Sequence, residues 1–193
     1  MKKRFIFSLL FAVCIILSAR ARAFESPFKG DTPEYLTLKK MGDNYQLTAE
    51  KFGCTKFAWA SLLAGGKIAD LEYVPADTAK IDDWKRLMTV TVYSLSGKAD
   101  TDLTLMNGIL KGVLSQYEQA QAKILKTEYF HTDNGEPGVF IRYDVGPEGA
   151  REHNAGVFMR SGVKTAAFIQ IQSRGSDLAD ADAQAVRALI QPK

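Results

Sequence analysis

The stretch from Ala122 to Arg174 constrains this chain most. It reads as four strands in succession, Lys123–His131, Gly138–Val145, Glu152–Arg160 and Lys164–Arg174. These runs are rich in β-branched and aromatic residues, the side chains that fit a pleated surface. Between the first two, Asp133-Asn134-Gly135 is the strongest turn signal in the sequence, because Asn-Gly adopts the positive φ of a tight hairpin. Gly146-Pro147-Glu148-Gly149 and Ser161-Gly162 mark the next two turns. Connections this short join antiparallel neighbours, since a parallel pair needs a long crossover. The stretch is therefore an antiparallel meander, onto which the rest of the chain must be built.

Two further strands precede it. Leu87–Leu95 places Met88, Val90 and Val92 on one face and Thr89, Thr91 and Tyr93 on the other. Ile68–Pro75 is the second, and Gly65-Gly66 before it closes a hairpin with the Cys54–Leu63 run, which also admits a short helix. Asn44–Lys51 reads as a strand, and Trp84, three residues after Ile81, as an anchor pinned in the core. From Asp100 to Gln119, Leu103, Met106, Leu110, Val113, Leu114 and Tyr117 recur at helical spacing. Asp100 or Thr101 can cap that helix, and Gly108 and Gly112, four apart, indicate close packing on the sheet. A last helix spans Ser176–Ile190, capped by Ser176 or Asp177, with Leu178, Ala181, Ala185, Val186 and Leu189 toward the sheet. Acids at its start and Arg187 near its end suit the helix dipole. Strands with two amphipathic helices make residues 35–193 a single α+β domain, an antiparallel sheet packed by a central and a C-terminal helix.

The element order resembles the PsbP-like α/β/α sandwich group over roughly Ile68–Ile190, together with the segment from Val74-Pro75 through Trp84 to Leu87-Met88-Thr89-Val90. The resemblance implies a small, non-enzymatic accessory or adaptor protein. That group has no single set of functional residues, so none is carried over.

The first 23 residues have the layout of a secretory signal: basic Met1-Lys2-Lys3-Arg4, apolar Phe5–Leu17, and the small-x-small site Ala21-Arg22-Ala23. The apolar run of 13 residues is short for a bilayer, which takes roughly 20. Cys14 lacks the small preceding residue of a lipoprotein box, since Val13 stands there. Cleavage between Ala23 and Phe24 leaves a Pro- and Gly-bearing leader, 24–34, and a mature chain without a membrane span, in the periplasm or outside the cell. Five of the 25 bases leave with the signal, so the mature chain holds 20 bases against 22 acids. The basic patch that nucleic-acid binding requires is absent.

Few residues invite chemistry. Cys54 is the only cysteine of the mature chain, so it has no internal disulfide partner. It reads as a buried small hydrophobe or as a reactive thiol. His131 ends one strand and His153 begins another at the opposite end of the sheet, roughly 20–25 Å away, too far for one ion. No metal or cofactor is expected. There is no Gly-x-Ser-x-Gly elbow, and the acids noted, Asp100, Asp102, Asp133, Glu136, Asp177 and Asp180, sit in turns and caps.

The meander has one mixed face. Val139, Ile141, Tyr143 and Val145 are assigned to a buried face with Ala155, Val157, Met159, Ala167, Ile169 and Ile171. The opposite face then collects Phe140, Arg142, Phe158, Arg160, Phe168, Gln170, Gln172 and Arg174. Aromatic and Arg residues are enriched at interfaces. The candidate binding residues are therefore Phe140, Arg142, Phe158, Arg160 and Gln170, with Tyr143 and Trp84 as core supports. The alternative is that the chain's own N-terminal half or central helix covers that face. The function expected is a non-catalytic exported accessory or binding protein with a protein partner in the cell envelope or a small ligand. The alternatives are a small envelope hydrolase using Cys54 or a carboxylate pair, and an inhibitor module projecting the Asp133–Gly138 loop.

Overall fold

The computed structural model describes residues 33–80, 83–131, 135–148, 150–175 and 178–190. The expected export signal, nearly all of the expected leader, Ile81, Asp133 and Asn134 of the expected turn, Gly149, and the expected caps Ser176 and Asp177 lie outside the described residues. Strands β1 (Lys56–Leu63), β2 (Ile68–Val74), β3 (Arg86–Ser94), β4 (Lys123–His131), β5 (Pro137–Val145), β6 (Glu152–Gly162) and β7 (Thr165–Arg174) form one antiparallel sheet in the order β1-β2-β3-β7-β6-β5-β4. Helix α1 (Pro33–Lys51) precedes the sheet, α2 (Ala99–Gln119) links β3 to β4, and α3 (Asp180–Arg187) follows β7, prolonged by a 3-10 turn, Ala188–Ile190. The architecture is an α/β/α sandwich, in which β1–β3 and β4–β7 are two meanders joined along β3 and β7.

One face of the sheet, here the front, packs beneath α1 and α3. Leu38 and Ala49 of α1, with Phe52 just after it, and Ala183 and Val186 of α3, with Leu178 just before it, share a core with Leu71, Tyr73, Val90, Phe140, Val157 and Ile169. The back face packs beneath α2, where Met106, Leu110 and Val113 meet Tyr93, Val139, Ile141, Phe158 and Phe168. A smaller apolar cluster of Ala58, Val74, Trp84 and Leu87 closes one end, and the Arg174 guanidinium lies 3.8 Å over the Trp84 ring.

Asn44–Lys51 is helical, not extended. Leu38, Met41, Tyr45, Ala49 and Phe52 recur at three- and four-residue steps, so a helix buries all five where a strand would bury half. Gly42 brings α1 close to the sheet, since a Cβ there would lie 3.0 Å from the Phe57 ring, and the Tyr73 hydroxyl donates to the Gly42 carbonyl at 2.7 Å. The helix ends in a turn with Gly53 at φ 69°, where the Cys54 amide bonds back to the Ala49 carbonyl. The hairpin at Gly65-Gly66 forms as the turn residues indicate.

The single mixed face is not formed. Phe140 pairs with Val157 and Val139 with Phe158, so Phe140 and Arg142 lie on the front face, while Phe158, Arg160 and Gln170 lie on the back. Both faces of this part of the sheet are apolar and covered. Alternation alone therefore does not report which face of β5 continues which face of β6.

The helices also differ in detail from expectation. Leu103 is exposed rather than buried, and nothing lies within 4 Å of a Cβ built at Gly108 or Gly112, so these glycines do not make a close approach. Neither Asp100 nor Thr101 caps α2, whose N-cap is Lys98. Helix α3 begins later than expected and turns Ala183 and Val186 inward, leaving Ala181 and Ala185 exposed.

Candidate functional site

The candidate residues from the sequence serve mainly to hold the fold together. Phe140 and Phe158 are buried in separate cores on either side of the sheet. Arg142 donates to the Asp180 carboxylate at 2.6 Å and to the Leu178 carbonyl at 3.0 Å, tying α3 to β5. Arg160 pairs with Asp102 at 3.3 Å and with Glu136, and donates to the Val163 carbonyl at 2.6 Å. Asp102 is buried and also accepts from the Ser96 amide and hydroxyl and the Gly97 amide, fastening the β3–α2 corner. Burial alone would raise its carboxyl; the bonds from Ser96, Arg160 and Gly97 together hold it below the usual carboxylate range.

Cys54 is fully buried, its thiol directed at the Phe52 carbonyl. Burial pushes the thiol up to about 11 against the pull of Arg86. A nucleophile needs the opposite shift. His131 lies opposite Pro137 and His153 opposite Asp144, the two ends of β5, where His153 Nδ1 and Asp144 Oδ1 are 2.9 Å apart. Among the described residues no three His, Cys, Asp or Glu side chains gather around a common point.

Gln170 leads elsewhere. Its side-chain oxygen accepts from the Tyr143 hydroxyl at 2.5 Å and the Tyr117 hydroxyl at 3.4 Å, and its amide reaches Thr89 Oγ1 at 3.4 Å. Gln172 donates to the same Thr89 oxygen at 3.2 Å. Cross-strand register continues this row to Glu72 and Trp59, and the adjacent row runs Thr91, Asp70, Ser61. The β1–β3 half of the back face is thus a polar floor beside the end of α2. Tyr117 of that helix packs against Tyr143 at a tilt of 41°, with ring centres 4.2 Å apart, at its border.

Two carboxylates stand on this floor. Residues two apart on a strand share a face, so Asp70 and Glu72 both point to the back. Glu72 is 4% exposed. Burial raises the Asp70 carboxyl above its ordinary value, partly offset by its hydrogen bond with Thr91. Charge placed in a sheet face is costly unless something offsets it. The sequence reading missed both acids by treating the carboxylates as cap and turn residues. The signal was an acid-x-acid pair inside the apolar run Ile68-Ala69-Asp70-Leu71-Glu72-Tyr73-Val74.

A cleft of about 530 Å³ opens on the front face between α1 and the β6–β7 turn, lined by Thr37, Lys40, Met41, Tyr45, Val92 and Ser161 among others. Much of its polar lining, including Thr37, Lys40 and Ser161, is exposed surface side chain, and it lacks the buried carboxylates of the back-face floor.

No protein-family model matches the chain, and no curated protein matches it. Among solved structures it is similar to a Pseudomonas aeruginosa protein of unknown function, at 16% identity over 65% of this chain and 83% of that one, with a TM-score of 0.37. It is also similar to the Saccharomyces cerevisiae Ran-binding protein Mog1p, at 12% identity over 69% of this chain and 90% of that one, with the same TM-score of 0.37.

Proposed function

We propose that the protein is an exported, non-catalytic accessory protein that binds a partner in the cell envelope on its back-face floor. The observation that carries this reading is the pair of carboxylates, Asp70 and Glu72, set side by side in the polar floor among Thr89, Thr91, Ser61 and Trp59. A cationic Lys or Arg side chain of the partner suits the site. Asp70 would take its charge, the Thr91 hydroxyl would accept a hydrogen bond, Gln170 would hold the Tyr117 and Tyr143 hydroxyls at the border of the floor, and the Trp59 ring suits a cation by its quadrupole. Glu72 lies in the adjacent row of the floor, buried at 4% exposure. Export rests on the charge, length and cleavage pattern of residues 1–23. Kinship with the PsbP-like group rests on the order of strands and helices.

A carboxylate-pair hydrolase is the second reading, because Asp70 is raised as a general acid would be. Glu72 argues against it, since a base this deeply buried does not reach a substrate.

The test is capture of envelope partners by the wild-type protein and by Asp70→Asn and Gln170→Ala variants, with folding checked by circular dichroism. Loss of a wild-type partner from both folded variants is the expected result. Retention of every partner by both would refute the site. Separately, mass spectrometry of the cell-recovered protein should give an N-terminus at Phe24; an intact Met1 would refute cleavage.

A further inference from the structure

Strand β4 is a terminal strand of the sheet, and it carries Ile124 at 45%, Leu125 at 45% and Tyr129 at 64% exposure. The hydrogen-bond ladder shows which of its amides face away from every described strand. The Ser94 amide bonds to the Lys67 carbonyl on the β2 side, and the Leu95 amide to the Lys164 carbonyl on the β7 side. Backbone groups alternate sides along a strand. Followed through the β3–β7, β7–β6, β6–β5 and β5–β4 registers, this alternation turns Lys126, Glu128 and Phe130 inward to β5. The backbone N–H and C=O groups of Thr127, Tyr129 and His131 therefore point to the open edge. The Arg174 amide on the Lys85 carbonyl, toward β3, fits the same sequence.

Natural edges are guarded by lysines and bulges, and β4 has both, Lys126 and a register shift between Ile124 and Lys126. These guards do not exclude one occupant. We propose that a second copy of this chain pairs with β4 antiparallel about a two-fold axis at Thr127. In that register Thr127 bonds to Thr127, and each Lys126 faces Glu128 of the other copy, so the Lys126–Glu128 pair present within each chain extends into one four-charge network across the axis. The two-fold repeats every contact. Sliding by one bonded step brings Glu128 against Glu128, and like charges directly opposite are destabilising. Charge thus selects both the partner and the register. The back-face floor lies at the far side of the sheet, so the pair leaves both floors open and the proposal stands apart from the binding reading above.

The test is sedimentation across a concentration series on the protein as recovered from the producing cell. Wild type is expected to pass from monomer to dimer. Lys126→Glu and Glu128→Lys alone are each expected to weaken association at least about tenfold, because like charges replace both opposite-charge contacts. Mixed in equal amounts they are expected to recover it as a heterodimer, because each contact then sets an acid of the Lys126→Glu chain against a lysine of the Glu128→Lys chain. Tyr129→Arg, at a well-exposed position, is expected to abolish it with an unchanged thermal melt. A wild type monomeric throughout, folded single variants that associate as wild type does, or a mixture that fails to recover would each overturn the pairing.

Discussion

Asp70 holds its proton more tightly in the folded chain than in the unfolded one, because burial raises its carboxyl. The folded state then binds more protons, so Asp70 subtracts stability as pH rises from the ordinary carboxylate value through the raised one. Asp70→Asn should therefore raise the melting temperature at neutral pH, with the gain vanishing below about pH 4. A residue that weakens the fold and whose loss removes a partner has the signature of function over stability. Asp102 behaves oppositely. Its lowered carboxyl contributes stability above the ordinary carboxylate range that is lost as pH falls through the depressed value. Asp102→Asn should flatten the acid limb of a pH–stability curve measured by urea unfolding. Gly156 gives a third residue-scale expectation. A Cβ there would lie 2.8 Å from the Phe168 ring and 2.9 Å from Gln170 Cγ, so Gly156→Ala should cost about 1–3 kcal/mol by overpacking, read from chemical denaturation.

At the scale of elements, α3 is fastened by ion pairs of Arg86 with Asp182, Arg142 with Asp180 and Arg187 with Glu128, which reach β3, β5 and β4. Partly exposed pairs of this kind are weak one at a time, so Arg142→Met should cost at most about 1 kcal/mol. It should act locally, with faster amide exchange in α3 and no change in β3. The strands themselves were legible in the sequence, and β4 falls where its pattern places it, because Asn-Gly and Gly-Pro turns punctuate runs of β-branched residues. Helix α1 was not. Its five inward residues are interrupted by charge, and Asn44–Lys51 alone is too short a window to tell a 3.6-residue period from a period of two. The site was illegible for a related reason. Which face β5 shares with β6 depends on whether Val145 pairs with Glu152, and turn composition does not decide that register. Gln170 was named for a face that does not form, and the partners it has instead, Thr89, Tyr117 and Tyr143, come from strands and a helix remote in sequence.

For the molecule as a whole, the separation of Phe140 and Phe158 by the sheet has a measurable consequence. Phe140→Leu and Phe158→Leu should each cost about 1 kcal/mol, and their effects should add within about 0.5 kcal/mol because no packing partner is shared. A larger coupling in a double-mutant cycle would show that the two rings face the same core. The seam between the meanders bears on how the chain is made. Strand β7, near the centre of the sheet, pairs from Arg86↔Ser173 to Ser94↔Thr165 with a strand some 70 to 90 residues earlier in the chain. It is also the last of these seven strands to be synthesised. Until it arrives, β3 and β6 each present an unsatisfied inner edge, so neither half can complete its ladder. Contacts this distant in sequence slow folding, and they leave a nascent chain open to capture by a chaperone until β7 has emerged.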